Sequence, residues 1–482
     1  MKDGMDIADF AVDFGIKKGA NYIEARFVNS CDEGYTTRNG SIIGAGEKNT
    51  NGIAIRVLTD GGIGFCSTAK LEKTNIENVV ETAIKMAKAS KRKEPIIFSE
   101  EKIVDTKWKT TVKQQFADVS DEEKIKFILD LDKNLVSQDF GESLITRTLM
   151  LNMTRDKKYI INSEGSKVES DKSLVAFYTF NTAKGPIGTE QRFYGAAGSM
   201  GWEWFEEQKI IEKIIQDNEA LVKTANFAKE MYLGKTDVVV SGEVSGIIAH
   251  ENTGHPSEGD RILGREGAQA GESFYIDLLE KQKLGEIKVG SEAVTLIDDP
   301  TLPGSAGYYL YDDENVKARP RYLIKEGMIN EVLLNREFAA RFETKSNAAA
   351  RAIGYDREPL IRMANTYFAA GDYELEELIE DVKQGIYMKS FTEWNIDDRR
   401  FQSKYVGLEV YLIENGKLTD KMVKRPVLEL TTFGLFGSVD AVSKDMEFPY
   451  GTCGKSDPSQ GAPCWMGGAQ VRMRDIRLGG KK

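Results

Sequence analysis

Near residue 235 the chain changes from strands alternating with long helices to strands punctuated by Gly and Asn, and this change limits the folds open to it. Before that point an amphipathic segment, Ile7 to Lys17, precedes β-prone runs interrupted at Asn39-Gly40, Asn51-Gly52 and Asp60-Gly61-Gly62. Turn signals roughly ten residues apart between β-prone runs predict an antiparallel meander. Thr74-Asn75-Ile76-Glu77 reads as a capping box, with Ile76, Val79, Val80, Ala83, Ile84 and Ala87 in helical period behind it. A second box, Ser120-Asp121-Glu122-Glu123, opens a helix carrying Ile125, Phe127, Ile128, Leu131 and Leu135. Strands are expected over 144–153 and 168–180, then a helix marked by Ile210, Ile211, Ile214, Ile215 and Leu221. Beyond the change, Val238-Val239-Val240 is a short buried strand, and hairpins are expected at Glu326-Gly327 (322–334) and Asn415-Gly416 (405–418). The fold class predicted is α+β, with an N-terminal mixed domain of antiparallel strands (1–230) and a C-terminal β-rich domain (231–482).

Composition is that of an ordinary globular protein, 41% hydrophobic and 29% charged over 482 residues. A net charge of −11 argues against a nucleic-acid footprint, which needs a clustered basic surface. The first residues lack the apolar run of a signal peptide, and no stretch reaches the length of a membrane span, so a cytoplasmic protein is expected. Four scattered cysteines, at 31, 66, 453 and 464, form no disulfide framework.

The only two histidines, His250 and His255, stand five residues apart in Ala249-His250-Glu251-Asn252-Thr253-Gly254-His255-Pro256. Imidazole is the commonest neutral ligand for zinc, and a carboxylate beside it can serve as a general base. On a straight α-helix, five residues leave the second side chain about 140° from the first. Gly254 and Pro256 suggest a remedy: the helix carries His250 and Glu251, stops near Thr253, and the following turn swings His255 back. A catalytic zinc takes three protein ligands, so the third must be Cys, Asp or Glu, and spacing does not choose among Glu258, Asp260, Glu266, Cys453 and Cys464.

His250-Glu251-Asn252-Thr253-Gly254-His255 with Glu258-Gly259-Asp260 behind it resembles the signature of the TldD/PmbA family of metallopeptidases, specifically its metal-bearing TldD branch. The resemblance runs over nearly the whole chain. It includes the stretch from Gly52 to Cys66, Ile297 to Gly304, Tyr311 to Glu314, Arg362-Met363-Ala364-Asn365-Thr366, Tyr411 to Gly416 and Cys453-Gly454-Lys455. It implies metal ligation by His250, His255 and Cys453, Zn2+ as the cofactor, and peptides or unfolded proteins as substrates. It also implies a dimer, either of two copies or with a TldE/PmbA-like subunit. The chain departs from the family at Phe391 to Phe401, where charges and a tryptophan replace a glycine-rich stretch, and at Cys464 with the Pro458–Pro463 segment.

In this reading Glu251 is the general base, and Arg362 and Asn365 are candidate substrate contacts. Two other classes use the same residues. One is a cysteine hydrolase with Cys453 as nucleophile, and the other a non-catalytic scaffold subunit with a structural metal.

Overall fold

A computed structural model of the chain describes residues 1–186, 188–231, 234–268 and 270–479. Two large sheets divide it. The first has seven strands: β1 (Tyr22–Arg38), β2 (Ser41–Thr59), β3 (Gly62–Thr68), β4 (Asp105–Lys109), β5 (Leu144–Asn162), β6 (Lys167–Gly185) and β7 (Gly188–Gly198). Their order is β3-β2-β1-β5-β6-β4, with β7 also on β6, and every pairing except β4–β6 is antiparallel. Asn39 and Gly40, and Asp60 and Gly61, take the positive φ that two-residue hairpin turns require.

Asn51-Gly52 forms no turn. β2 runs through it in register with Asn29 and Val28 of β1, and the Tyr355 ring presses on Gly52 so closely that an added Cβ would lie 2.6 Å from it. This glycine admits a neighbour from the second half of the chain. The box at Thr74 is also corrected. The helix starts two residues earlier, at Lys73, with Glu72 at its cap and no capping side chain, while the predicted apolar positions are those it buries. The Ser120 box forms in full at the head of helix Asp121–Ser137.

Helices Lys2–Lys17 and Lys73–Ala89 cover β1–β3 through Ala8, Ala11, Ile23, Ile55, Val80 and Ala83. Helices Asp121–Ser137 and Ile210–Phe227 cover β5 and β6 through Ile128, Leu131, Leu149, Phe177 and Ile214. The second sheet, of 14 strands, is built on one long strand, Gln460–Gly479. That strand pairs with Asn365–Phe368, Lys235–Val240, Tyr450–Lys455, Val439–Glu447 and Val427–Thr431. The turns at Glu326-Gly327 and Asn415-Gly416 form. Tyr405 lies outside the second hairpin, on Gln402–Gly407, which pairs instead with Phe391–Ile396 and Val427–Thr431. Mixed helix and antiparallel strand in the first half and a β-rich second half make this an α+β protein.

Ion pairs join the two halves of the chain. Arg56 on β2 reaches Glu24 at 2.9 Å and Glu314 at 2.8 Å, with all three side chains at most 3% exposed. Arg336 joins Glu164 at 2.7 Å. Removing one member strands the others without compensation, so Arg56→Ala should cost about 3–5 kcal/mol of stability, read as a lower urea midpoint. An unchanged midpoint would refute the assignment.

Candidate metal and catalytic site

Ser241 caps helix Gly242–Ala249, its hydroxyl accepting from the Val244 amide. The helix lies hard on the long strand: a Cβ on Gly246 would stand 2.3 Å from the backbone of Met466 and Gly467. The helical run continues past Ala249. It widens into a π turn over His250–Gly254, closed by the His255 amide donating to the His250 carbonyl at 3.1 Å. An i→i+5 bond makes five residues about one turn, which brings both imidazoles to the same side.

The helical run ends at Gly254, close to the stop expected near Thr253, but it is the π turn and not a turn after the helix that brings His255 back. His255 is itself right-handed helical (φ −64°, ψ −44°), despite the bias that Pro256 imposes. Gly254 serves as a clearance point, because a Cβ there would fall 1.8 Å from Met363 Sδ. Gly254→Ala should distort this turn, costing roughly 1–3 kcal/mol by overpacking and lowering metal content. Thermal denaturation and metal analysis check this, and wild-type values in both would exclude it.

The imidazoles meet edge to face with ring centroids 4.8 Å apart. Cys453, about two hundred residues away in sequence, arrives on strand Tyr450–Lys455 with its Sγ 3.4 Å from His255 Nε2. Candidate ligand atoms of His250, His255 and Cys453 all lie within 4.8 Å of one another, and all three residues are buried. His255 Nδ1 is 3.1 Å from Glu258 Oε2, which fixes the ring with Nε2 toward the thiol. Glu258 in turn pairs with Arg261 and stands 3.4 Å from Lys455, which also binds Asp260 at 2.7 Å. Burial raises the Glu258 pKa, but Lys455, Arg261 and His255 outweigh it and hold the carboxyl well below its usual range.

A hydrogen bond from Cys464 is the main reason the Cys453 thiol lies well below the ordinary cysteine value; burial opposes it, and the two imidazoles and Arg362 assist it. Cys464, the donor, is pushed up by that bond and by burial. Burial pulls the His250 pKa down, but Cys453 and the nearby carboxylates carry it above its usual value. Two imidazoles and a thiolate-prone cysteine are a donor set suited to zinc, and His250 Nδ1 is buried with no hydrogen-bond partner.

Glu251 is 6% exposed on the wall of a cavity of about 550 Å³ that His250, His255 and Cys453 also line. Its Oε1 accepts from Trp394 Nε1 at 3.1 Å and its Oε2 pairs with Arg400. Both donors come from the 391–401 segment. Arg400 holds a left-handed backbone (φ +63°), uncommon for a side chain of its size. Asn252, beside Glu251, ties the same hairpin to the π turn by donating to Ser403 (3.1 Å) and Thr432 (2.8 Å) and accepting from Tyr405 (2.6 Å). Nothing in the sequence connects Trp394 or Arg400 with Glu251 across 143 and 149 residues.

Arg362 and Asn365 are buried and lie outside the cavity lining. Arg362 donates to the Cys453 and Gln460 carbonyls, fastening the hairpin that carries the cysteine. Asn365 donates to Asp299 O and Ser305 Oγ and accepts from the Gly307 and Trp465 amides. These bonds hold both side chains within the protein's own framework. Asp260 reaches Lys455, and Glu266 caps its own loop at the Ala268 amide.

Residues 233–480 match the PmbA/TldA metallopeptidase C-terminal domain, 23–87 its domain 1 and 114–228 its central domain. The chain belongs to the PmbA/TldD metallopeptidase family. It is 34% identical to the metalloprotease MJ0996 of Methanocaldococcus jannaschii over 426 residues, covering 88% of this chain and 89% of that one. A metalloprotease of Methanothermobacter thermautotrophicus is 30% identical over 96% and 97% of the two chains. A zinc metalloprotease TldD homolog of Saccharolobus solfataricus is 30% identical over 51% of this chain and 52% of that relative. In fold the chain resembles TldE of Thermococcus kodakarensis (TM-score 0.75, 17% identity, 98% and 100% covered). It also resembles a putative modulator of a DNA gyrase from Thermotoga maritima (TM-score 0.78, 18% identity, 98% and 99% covered). Among the described residues no helix is long and apolar enough to cross a membrane.

Proposed function

We propose that the chain is a zinc-dependent peptidase that hydrolyses peptides or unfolded protein segments, with His250, His255 and Cys453 holding the metal and Glu251 as general base. The observation that carries this reading is the convergence of the three buried donors with a carboxylate beside them on one cavity wall. Zinc bound there would supply Lewis acidity and acidify water.

The chain's own residues do the rest. Glu251 takes the proton of the attacking water on a carboxylate oxygen and passes it to the leaving amine. Trp394 and Arg400 hold that carboxylate in one orientation, so little reorganisation accompanies proton transfer. Glu258 fixes His255, and Arg362 fixes the strand of Cys453. The working unit is a dimer, of two copies or with a TldE/PmbA-like subunit, a reading supported by the fold shared with TldE.

Dialysis against a chelator should abolish peptide cleavage, and stoichiometric zinc should restore it. Hydrolysis that survives complete metal removal, yet is lost on thiol alkylation, would instead indicate Cys453 as a nucleophile.

A further inference from the structure

The charged side chains of the cavity beside the site are already paired. Arg192 binds Asp217 (2.9 Å) and Glu243 (2.7 Å), and Arg400 binds Glu251. What the cavity presents is aromatic. Phe193 of β7 is 52% exposed and Trp394 46% exposed, although rings of this size are ordinarily covered. Tyr178 stands 5.5 Å from Phe193 and 5.3 Å from Tyr450, centroid to centroid, and Phe391 stands 5.6 Å from Trp394. They come from strands that meet only in the folded protein: β6, β7, Phe391–Ile396 and Tyr450–Lys455.

Trp394 joins these rings to the chemistry. Its indole nitrogen is anchored on Glu251 while nearly half of its surface remains open. An apolar group packed on that ring therefore lies next to the carboxylate. A charged group entering the same space would lose its hydration and find its natural partners occupied.

We propose that this cavity is a specificity pocket for one bulky apolar side chain, aromatic or long aliphatic, on the substrate residue flanking the scissile bond, with Phe193 and Trp394 as its walls. The proposal rests on Glu251 as the base, since that places the scissile bond beside Trp394. A competing occupant is a second copy of the chain, because Phe180, the cross-strand neighbour of Phe193, is also exposed and extends the apolar face.

The test uses zinc-loaded full-length Glu251→Gln protein and capped pentapeptides that differ at one position, Phe, Leu, Ala, Asp or Lys, with binding followed by fluorescence anisotropy. The Phe and Leu peptides should bind about tenfold more tightly than the other three, as expected for burying one large apolar side chain. Adding Phe193→Ala should remove that preference and leave the affinity for the Ala peptide unchanged, and Phe193→Leu should restore part of it. Equal or absent binding across the set, or a Phe193→Ala protein that weakens every peptide alike, overturns the proposal. So does a Phe193→Ala protein whose oligomeric state changes in light scattering while its peptide preference does not. Mass spectrometry of the same mixtures keeps the two readings apart: rapid peptide cleavage by the Glu251→Gln protein refutes Glu251 as base, whatever the binding series shows.

Discussion

Glu251→Gln should slow peptide hydrolysis by roughly 10²–10⁴-fold while leaving zinc content at the wild-type level. The substitution keeps the side chain's size and one of its two contacts, to Trp394 or Arg400, but turns an NH2 toward the other donor, and an amide does not accept the proton of water. Because Glu251 is absent from the donor cluster, its loss should not empty the metal site. Single-turnover rates and metal analysis on the same preparation separate the two quantities. A variant that retains both zinc and full activity eliminates Glu251 as base, and one that loses zinc makes the carboxylate part of the binding set.

Cys453→Ala should abolish stable zinc binding, weakening affinity by more than the roughly 10–100-fold expected from removing a residue that only orients a ligand. Glu258→Gln supplies that internal comparison, since Glu258 orients His255 without joining the cluster. The Cys453 side chain is nearly completely buried, and the hydrogen bond from Cys464, with the two imidazoles and Arg362, holds its pKa well below the usual thiol value against burial. Activity should disappear with the metal. If Cys453→Ala abolishes activity but keeps a full complement of zinc, the cysteine is a nucleophile and the metal is held by other groups.

Features decided by neighbours in sequence were legible from sequence. Asn39-Gly40, Asp60-Gly61, Glu326-Gly327 and Asn415-Gly416 turn the chain because each pair accepts positive φ, and the Ser120 box closes on itself within four residues. The buried face of Lys73–Ala89 follows its apolar period. Features decided at long range were not legible. Asn51-Gly52 carries the same local signal as Asn39-Gly40, but Gly52 is read by Tyr355, three hundred residues on. Gly254 likewise answers to Met363 and not to its own turn. The histidine pair pointed to a metal, whereas the π turn that aligns it packs on Met363, about a hundred residues on. Trp394 and Arg400 carry no sequence mark of their contact with Glu251, because a long-range hydrogen bond leaves no periodicity.

The long strand Gln460–Gly479 has a consequence for how such a protein comes into being. It is the spine on which five other strands assemble, and it pairs directly with the strand that presents Cys453. During synthesis His250 and Glu251 leave the ribosome some two hundred residues before this spine is available to seat them. A chain interrupted before residue 460 has both histidines and the glutamate but no framework to hold them near the cysteine. Assembly of the proposed site therefore waits on synthesis of this strand.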